Sequence, residues 1–317
     1  MAQDARLIKL RTVARLSNGF MLDLVKLGGF GRDVIDGVLL TAISQANVLP
    51  ITRDPVLQRR YAALDQPPPD ELRRPVSISA VANSLRIPFE TARRRISAMA
   101  KLEIVRTSSR GVIIPQGPMD SPLYRILASA HYELVRNLYL RTRPLELVAS
   151  APSGQAAFSA NSQPVRLVNR LSAHFLLRLA EPLTEQIGDL VTALILLDVI
   201  HANTEHLGDS DLSEIEVSTD GYLPDRERRP VRINTLSERL GIPPETVRRH
   251  VNRLVKSGRC ERREEGYLIP SHVLARGPFV QYMLDNQSHL QRFFSGLSEL
   301  GVLSLWDAEA DGLRGAA

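Results

Sequence analysis

The chain has 317 residues, 44% of them hydrophobic and 24% charged, with a formal net charge of +5, which excludes a wholly disordered protein and suits two domains of ordinary size. One cysteine, Cys260, excludes an internal disulfide and a cysteine-based zinc or iron–sulfur site. No apolar leader follows Met1-Ala2-Gln3-Asp4-Ala5-Arg6, and the most apolar run, Leu190 to Ile200, is about half of the ~20 residues that span a bilayer, so an intracellular protein without a membrane partner is expected.

In chain order, a helix is expected near 5–27 and another over about 33–48. A polar connection containing Pro67-Pro68-Pro69 leads to a short β-branched strand, Val76–Ile78. A helix follows over Ser79–Leu85, opening on a capping-type residue, and a second runs from the turn Arg86-Ile87-Pro88 to about Leu102. Ile104–Arg106 and Gly111–Ile114 read as a hairpin, and an amphipathic helix spans about 121–141. Ala149 to Pro164 is small, polar and nearly uncharged, which suits a flexible linker. Next come a helix over 165–181 and another opening at Pro182 and reaching about 204. An acidic connection (Glu205, Asp209, Asp211, Glu214, Glu216) precedes the strand Val231–Ile233. Helices are expected over Asn234–Leu240 and from Gly241-Ile242-Pro243 to about Ser257. A hairpin (Arg259–Arg262, Gly266–Ile269) and a helix over 277–299 complete the series, and the segment after Trp306 is expected to fray.

The two series match. Residues 73–115 and 228–270 align at a constant offset of 155 without a gap, with 16 identities over 43 positions. The first segment carries nine basic and two acidic side chains and the second eleven and five, while the rest of the chain is net acidic. Arg outnumbers Lys 36 to 4; coding bias explains that ratio but not the segregation of charge. Two basic segments in an otherwise acidic chain are a footprint for a polyanion.

Within each segment, Ala92, Ile96 and Met99, or Val247, Val251 and Leu254, recur at i, i+4, i+7 and form a narrow buried stripe. The opposite face carries Glu90, Arg94, Ser97, Ala98 and Lys101, or Glu245, Arg249, Asn252, Arg253 and Lys256. A short helix, a tight turn and a second helix with a basic outer face is a helix-turn-helix, and the hairpin after it reads as a wing. The unit resembles the winged helix-turn-helix of bacterial transcription regulators. Glu90-Thr91-Ala92-Arg93-Arg94 and Glu245-Thr246-Val247-Arg248-Arg249 are similar to the recognition helix of the cyclic-AMP-receptor/Fnr type. That resemblance implies that Glu90, Arg94, Glu245 and Arg249 read bases. Phe89 and Pro244 stand where that family has a basic or Ser-Arg lead-in. No counterpart of its nucleotide-binding barrel is present, so no nucleotide ligand carries over.

The fold class expected is mostly α with small β-wings, an internal duplication of a helical plus winged helix-turn-helix unit. The first unit is placed at 1–148, a linker at 149–164, the second unit at 165–306 and a tail at 307–317. Arg can donate two hydrogen bonds to guanine and Glu can accept from cytosine N4, so Glu90, Arg94, Ser97, Glu245, Arg249, Asn252 and Arg253 are the base-reading candidates. Glu and Arg at i, i+4 can also brace each other. Thr91, Arg93, Lys101, Arg106, Arg110, Thr246, Arg248, Lys256, Arg262 and Arg263 are the phosphate candidates.

Other signals are weak. His201 and His206 are five apart, on different helix faces, and no metal-binding motif occurs among the seven histidines. Gly28-Gly29-Phe30-Gly31 lacks the spacing of a phosphate loop and reads as a helix–helix hinge. The acidic run from Glu205 to Asp220 lacks the mid-loop Gly of a calcium loop. Cys260 lies among cations that could activate a redox thiol, but Val105 occupies the matching position and a small core residue is expected. No catalytic constellation, metal or cofactor is expected. The terminal amphipathic helices (Leu123, Ile126, Leu127, Ala130, Leu134; Phe279, Met283, Leu290, Phe293, Phe294) pack within their own half or form a homodimer seam. The expected function is a cytoplasmic, nucleoid-associated transcription regulator that reads double-stranded DNA with two units as a pseudo-dimer. The alternatives are a plasmid-type replication initiator and a chromosome-associated winged-helix adaptor.

Overall fold

The computed structural model describes residues 2–29, 32–148, 158–159, 162–208 and 222–314. The expected linker is outside the described residues at 149–157 and 160–161, as is most of the acidic run, 209–220. Helix α1 (Ala2–Gly28) precedes α2 (Val34–Asn47). Asp33 caps α2, its carboxylate accepting from the amides of Ile35 and Asp36. The short α3 (Leu49–Arg53) and α4 (Pro55–Arg60) lead towards α5 (Ile78–Ser84) and α6 (Phe89–Lys101). An antiparallel ribbon follows, β1 (Arg106–Ser108) with β2 (Gly111–Ile113), then α7 (Gln116–Met119) and α8 (Pro122–Thr142). Later come α9 (Val165–Ile187), α10 (Leu190–Ala202), α11 (Ile233–Leu240) and α12 (Pro244–Lys256). The second ribbon pairs β3 (Glu261–Arg263) with β4 (Gly266–Leu268), before α13 (Ser271–Leu274), α14 (Gly277–Glu299) and α15 (Val302–Arg314). The fold is mostly α with small β-wings.

Three expected boundaries move, each for a local reason. The strands at Val76–Ile78 and Val231–Ile233 shrink to single bridges, Val76 with Val112 and Val231 with Tyr267. Ile78 and Ile233 already start helices, in the first case because the Ser77 hydroxyl caps α5 by accepting from Ala80 N at 3.1 Å. Pro182 does not open a helix but lies inside α9, which runs on to Ile187. The break comes at Gly188, in the left-handed region at φ 98°, after which the Asp189 carboxylate accepts from Thr192 N and caps α10. The segment after Trp306 is not frayed as far as Arg314. There α15 continues, and Asp307 accepts from Tyr139 Oη at 3.0 Å while Glu309 pairs with Arg136 at 3.3 Å.

The chain divides into two compact units that cut across its sequence halves. One unit is Met1–Gly37 with Leu179–Gln287, and the other is Val38–Arg178 with Ser288–Ala317. In the first unit, α10 is buried nearly all round (Leu190, Leu194, Ile195, Leu196, Leu197, Val199), which accounts for the most apolar run in the chain. No described helix is long and apolar enough to cross a membrane. Leu10 and Ala14 of α1 pack there with Tyr222 and Met283.

The second unit is built around aromatic rings. Trp306 is fully buried, donates to Tyr132 Oη at 2.6 Å, and meets that ring edge-on. Phe175 stacks on Phe293 with centroids 5.2 Å apart. Two buried arginines of α9 dock on backbone carbonyls of this unit. Arg166 donates to Leu64 O and Met119 O, and Arg170 to Tyr61 O and Gln58 O.

Candidate nucleic-acid interface

Each wing is held from below by one asparagine. Buried Asn47, at the end of α2, donates to Arg74 O and Val112 O and accepts from Ile114 N. Buried Asn203, just after α10, donates to Arg229 O and Tyr267 O and accepts from Ile269 N. Each side chain thus satisfies three backbone groups that the two-stranded ribbon leaves open. The ribbons also need Gly111 and Gly266. Both have positive φ, and a Cβ there would stand 2.6 Å from Val76 O or 2.5 Å from Val231 O. Sequence reading missed both asparagines as wing supports, although Ala46-Asn47 and Ala202-Asn203 stand at matching places in the two series.

Above this base, α6 buries Ala92, Ile96 and Met99, and α12 buries Val247, Val251 and Leu254. The expected base-reading side chains, Glu90, Arg94, Ser97, Glu245, Arg249, Asn252 and Arg253, are all exposed. Arg93, Lys101, Arg106, Arg110, Arg248, Lys256, Arg262 and Arg263 are exposed too, while Thr91 and Thr246 are half-buried.

Their pairing differs from the expected brace between Glu90 and Arg94. Glu90 accepts instead from Arg93, at 2.7 and 2.9 Å, and Glu245 pairs with Arg248 at 3.7 Å. The hydrogen bond from Arg93 holds the Glu90 carboxyl below the ordinary range and raises the Arg93 guanidinium. Arg94 and Arg249 form no ion pair among the described residues.

Three other candidates are tethered: Arg263 pairs with Glu261 of the same strand at 2.5 Å, and aspartates hold Arg106 and Arg253. Arg106 on β1 donates to Asp70 at 2.7 Å, and Asp70 also accepts from Gln116 N. Burial works to raise the Asp70 carboxyl, but these partners and Arg73 outweigh it and hold it low. Arg253 reaches Asp189 at 3.5 Å, and buried His250 on the same helix lies 2.7 Å from Thr192 Oγ1. Burial lowers the His250 pKa. As partners of Arg106 and Arg253, Asp70 and Asp189 carried no signal in the sequence, because these pairs join residues 36 and 64 apart.

Not every cation of the basic segments faces out. Arg73 and Arg228 are buried and pair with Asp70 and Asp225, and burial lowers both their pKa values. Cys260 is buried at 3% exposure, and burial pushes its thiol up to about 12, so it is a core residue. No cluster of three metal-ligating side chains occurs among the described residues.

A short helix, a turn through Gly241 in the left-handed conformation, a second helix with an exposed basic face, and a two-stranded wing define 231–268 as a winged helix-turn-helix. Residues 231–259 match the family model described as winged helix-turn-helix DNA-binding. No curated protein and no solved structure matches the chain. The chain therefore carries a DNA-binding winged helix.

Proposed function

We propose that the chain is a sequence-specific transcription regulator that reads double-stranded DNA with two winged helix-turn-helix units, α5–β2 and α11–β4, as a pseudo-dimer in one polypeptide. The observation that carries this reading is the exposure of Glu90 and Arg94 on α6, and of Glu245 and Arg249 on α12, above equivalent buried stripes. The two segments also run through the same order of elements, with the same asparagine under each wing.

In this reading Arg94 and Arg249 donate to guanine O6 and N7, and Glu90 and Glu245 accept from cytosine N4. Ser97 and Asn252 extend the base contacts. Arg253 reads a base only by leaving Asp189. Arg93, Arg110, Arg248, Lys101, Lys256, Arg262 and Arg263 meet phosphates, and Arg106 does so while sharing Asp70. The activity is binding, with no catalytic step and no cofactor. Ser97-Ala98 in one helix against Asn252-Arg253 in the other makes the two half-sites similar but not identical.

Selection of bound duplexes from a random pool, followed by a genome-wide map of bound sites, tests the proposal. Paired, related half-sites near promoters are expected. Direct repeats at a replication origin would favour the initiator reading, and an absence of sequence preference would overturn base reading.

A further inference from the structure

We infer that the N-terminal helix α1 is a positioning element of the second winged helix-turn-helix, so that the first residues of the chain govern base reading by its distal half; this rests on the DNA-reading function proposed above. By sequence order α1 precedes the first basic segment, yet it shares a compact unit with the second. Three contacts along α1 reach three different supports of that reader.

At the end of α1, Lys26 lies 3.8 Å from Asp198, which is fully buried in α10. The same carboxylate accepts from Arg239 of α11, the first helix of the helix-turn-helix, at 3.0 and 3.1 Å. Arg239 also donates to Glu205 at 2.6 Å. Burial raises the Asp198 pKa, and Arg239 and Lys26 oppose it. One buried charge is thus shared between α1 and the helix-turn-helix, and loss of either cation leaves it undercompensated. Ala42 and Ser84 occupy the matching places in the first series, so this link belongs to the second reader alone.

The middle of α1 holds the turn that follows α10 and the start of α14. Arg15 donates to Leu207 O and Thr204 O, and Asn18 Oδ1 accepts from buried Tyr282 Oη at 2.7 Å. Beyond α1, the turn of the helix-turn-helix rests on the cap of α2. A Cβ added at Gly241 would stand 3.1 Å from Asp33 Cα. The turn angle between α11 and α12, and hence the aim of Arg249, is set against Asp33.

The test uses full-length Arg15→Gln and Lys26→Gln, side chains at the edge of the contact whose loss leaves the apolar packing of Leu10 and Ala14 in place. Binding is measured on the selected duplex and on duplexes with either half-site scrambled. An affinity loss of about tenfold is expected, confined to the half-site that Arg249→Ala also loses. The half-site lost in Arg94→Ala is expected to be unaffected. Equal loss at both half-sites, loss at the other one, or no loss would overturn the inference. Hydrogen exchange on the same proteins without DNA reads the positioning by itself. Faster exchange in 233–256 and not in 78–101 is expected, whereas unchanged exchange, or the reverse pattern, would overturn it. If the wild-type chain shows no sequence preference while exchange in 233–256 still responds, the DNA-reading proposal fails and the positioning of α11 and α12 by α1 stands.

Discussion

Glu90 takes both of its hydrogen bonds from Arg93, three residues ahead, and none from Arg94, four residues ahead. Residues at i+3 and i+4 are both neighbours on a helix, so this choice decides which cation is neutralised and which is available. Arg94 stands exposed beside the pair.

Base reading is accordingly expected from Arg94 and not from Arg93. Arg94→Ala should cost about 1–3 kcal/mol of binding and relax preference in one half-site only. Arg249→Ala should do the same in the other half-site, and the two losses should add. Arg93→Ala should weaken all sequences to a similar degree, as loss of a phosphate contact does. Binding-site selection on the three variants separates these outcomes.

If both segments dock on DNA as proposed, their exposed cations should make binding steeply salt-dependent. If about 6–10 phosphates are neutralised, affinity should fall about 10³–10⁵-fold between 50 and 200 mM salt. Buried Arg73 and Arg228 should not contribute to the slope. Filter binding across that range measures it, and a flat response is incompatible with docking of both readers.

Loss of a wing support should be local. Asn47→Ala strips partners from Arg74 O, Val112 O and Ile114 N, and Asn203→Ala does so in the second wing. Each should cost about 1–3 kcal/mol of stability. Denaturant titration reads the loss, and faster exchange of the amides in the affected ribbon locates it.

Cys260 should be inert in the folded protein. Its thiol is buried, with a pKa of about 12, so thiolate is scarce at neutral pH. Labelling by an aromatic disulfide should follow the denaturant unfolding curve, and mild peroxide should leave DNA binding unchanged. Rapid labelling of native protein would restore the redox-sensor reading.

Cleavage within 149–164 should yield fragments that stay together. Each compact unit draws segments from both sides of that stretch, so neither fragment holds a complete core. Gel filtration of the nicked chain should give one peak at the size of the intact protein. Elution of two separate folded fragments would contradict the interleaved units.

The outward faces of α6 and α12 were legible because their information is local. A buried stripe at i, i+4, i+7 fixes the outward face of α6 and of α12, and the residues opposite it are exposed. The wings were legible for a similar reason, since Gly111 and Gly266 mark ribbons whose strands are only a few residues apart. Sequence alone thus determined the order of the longer helices and the ribbons, the helix-turn-helix with its wing, and which side chains of α6 and α12 are exposed, but not the short helices α3, α4, α7 and α13 or the terminal α15. Tertiary structure alone decided which candidate side chains are engaged, through Asp70 on Arg106 and Asp189 on Arg253, and which segments form a unit. Helix periodicity specifies that α1 has an apolar face but not which surface covers it. That choice rests on contacts more than 170 residues apart, such as Lys26 with Asp198 and Asn18 with Tyr282, where burial of charge and of apolar area selects a partner that no local pattern encodes.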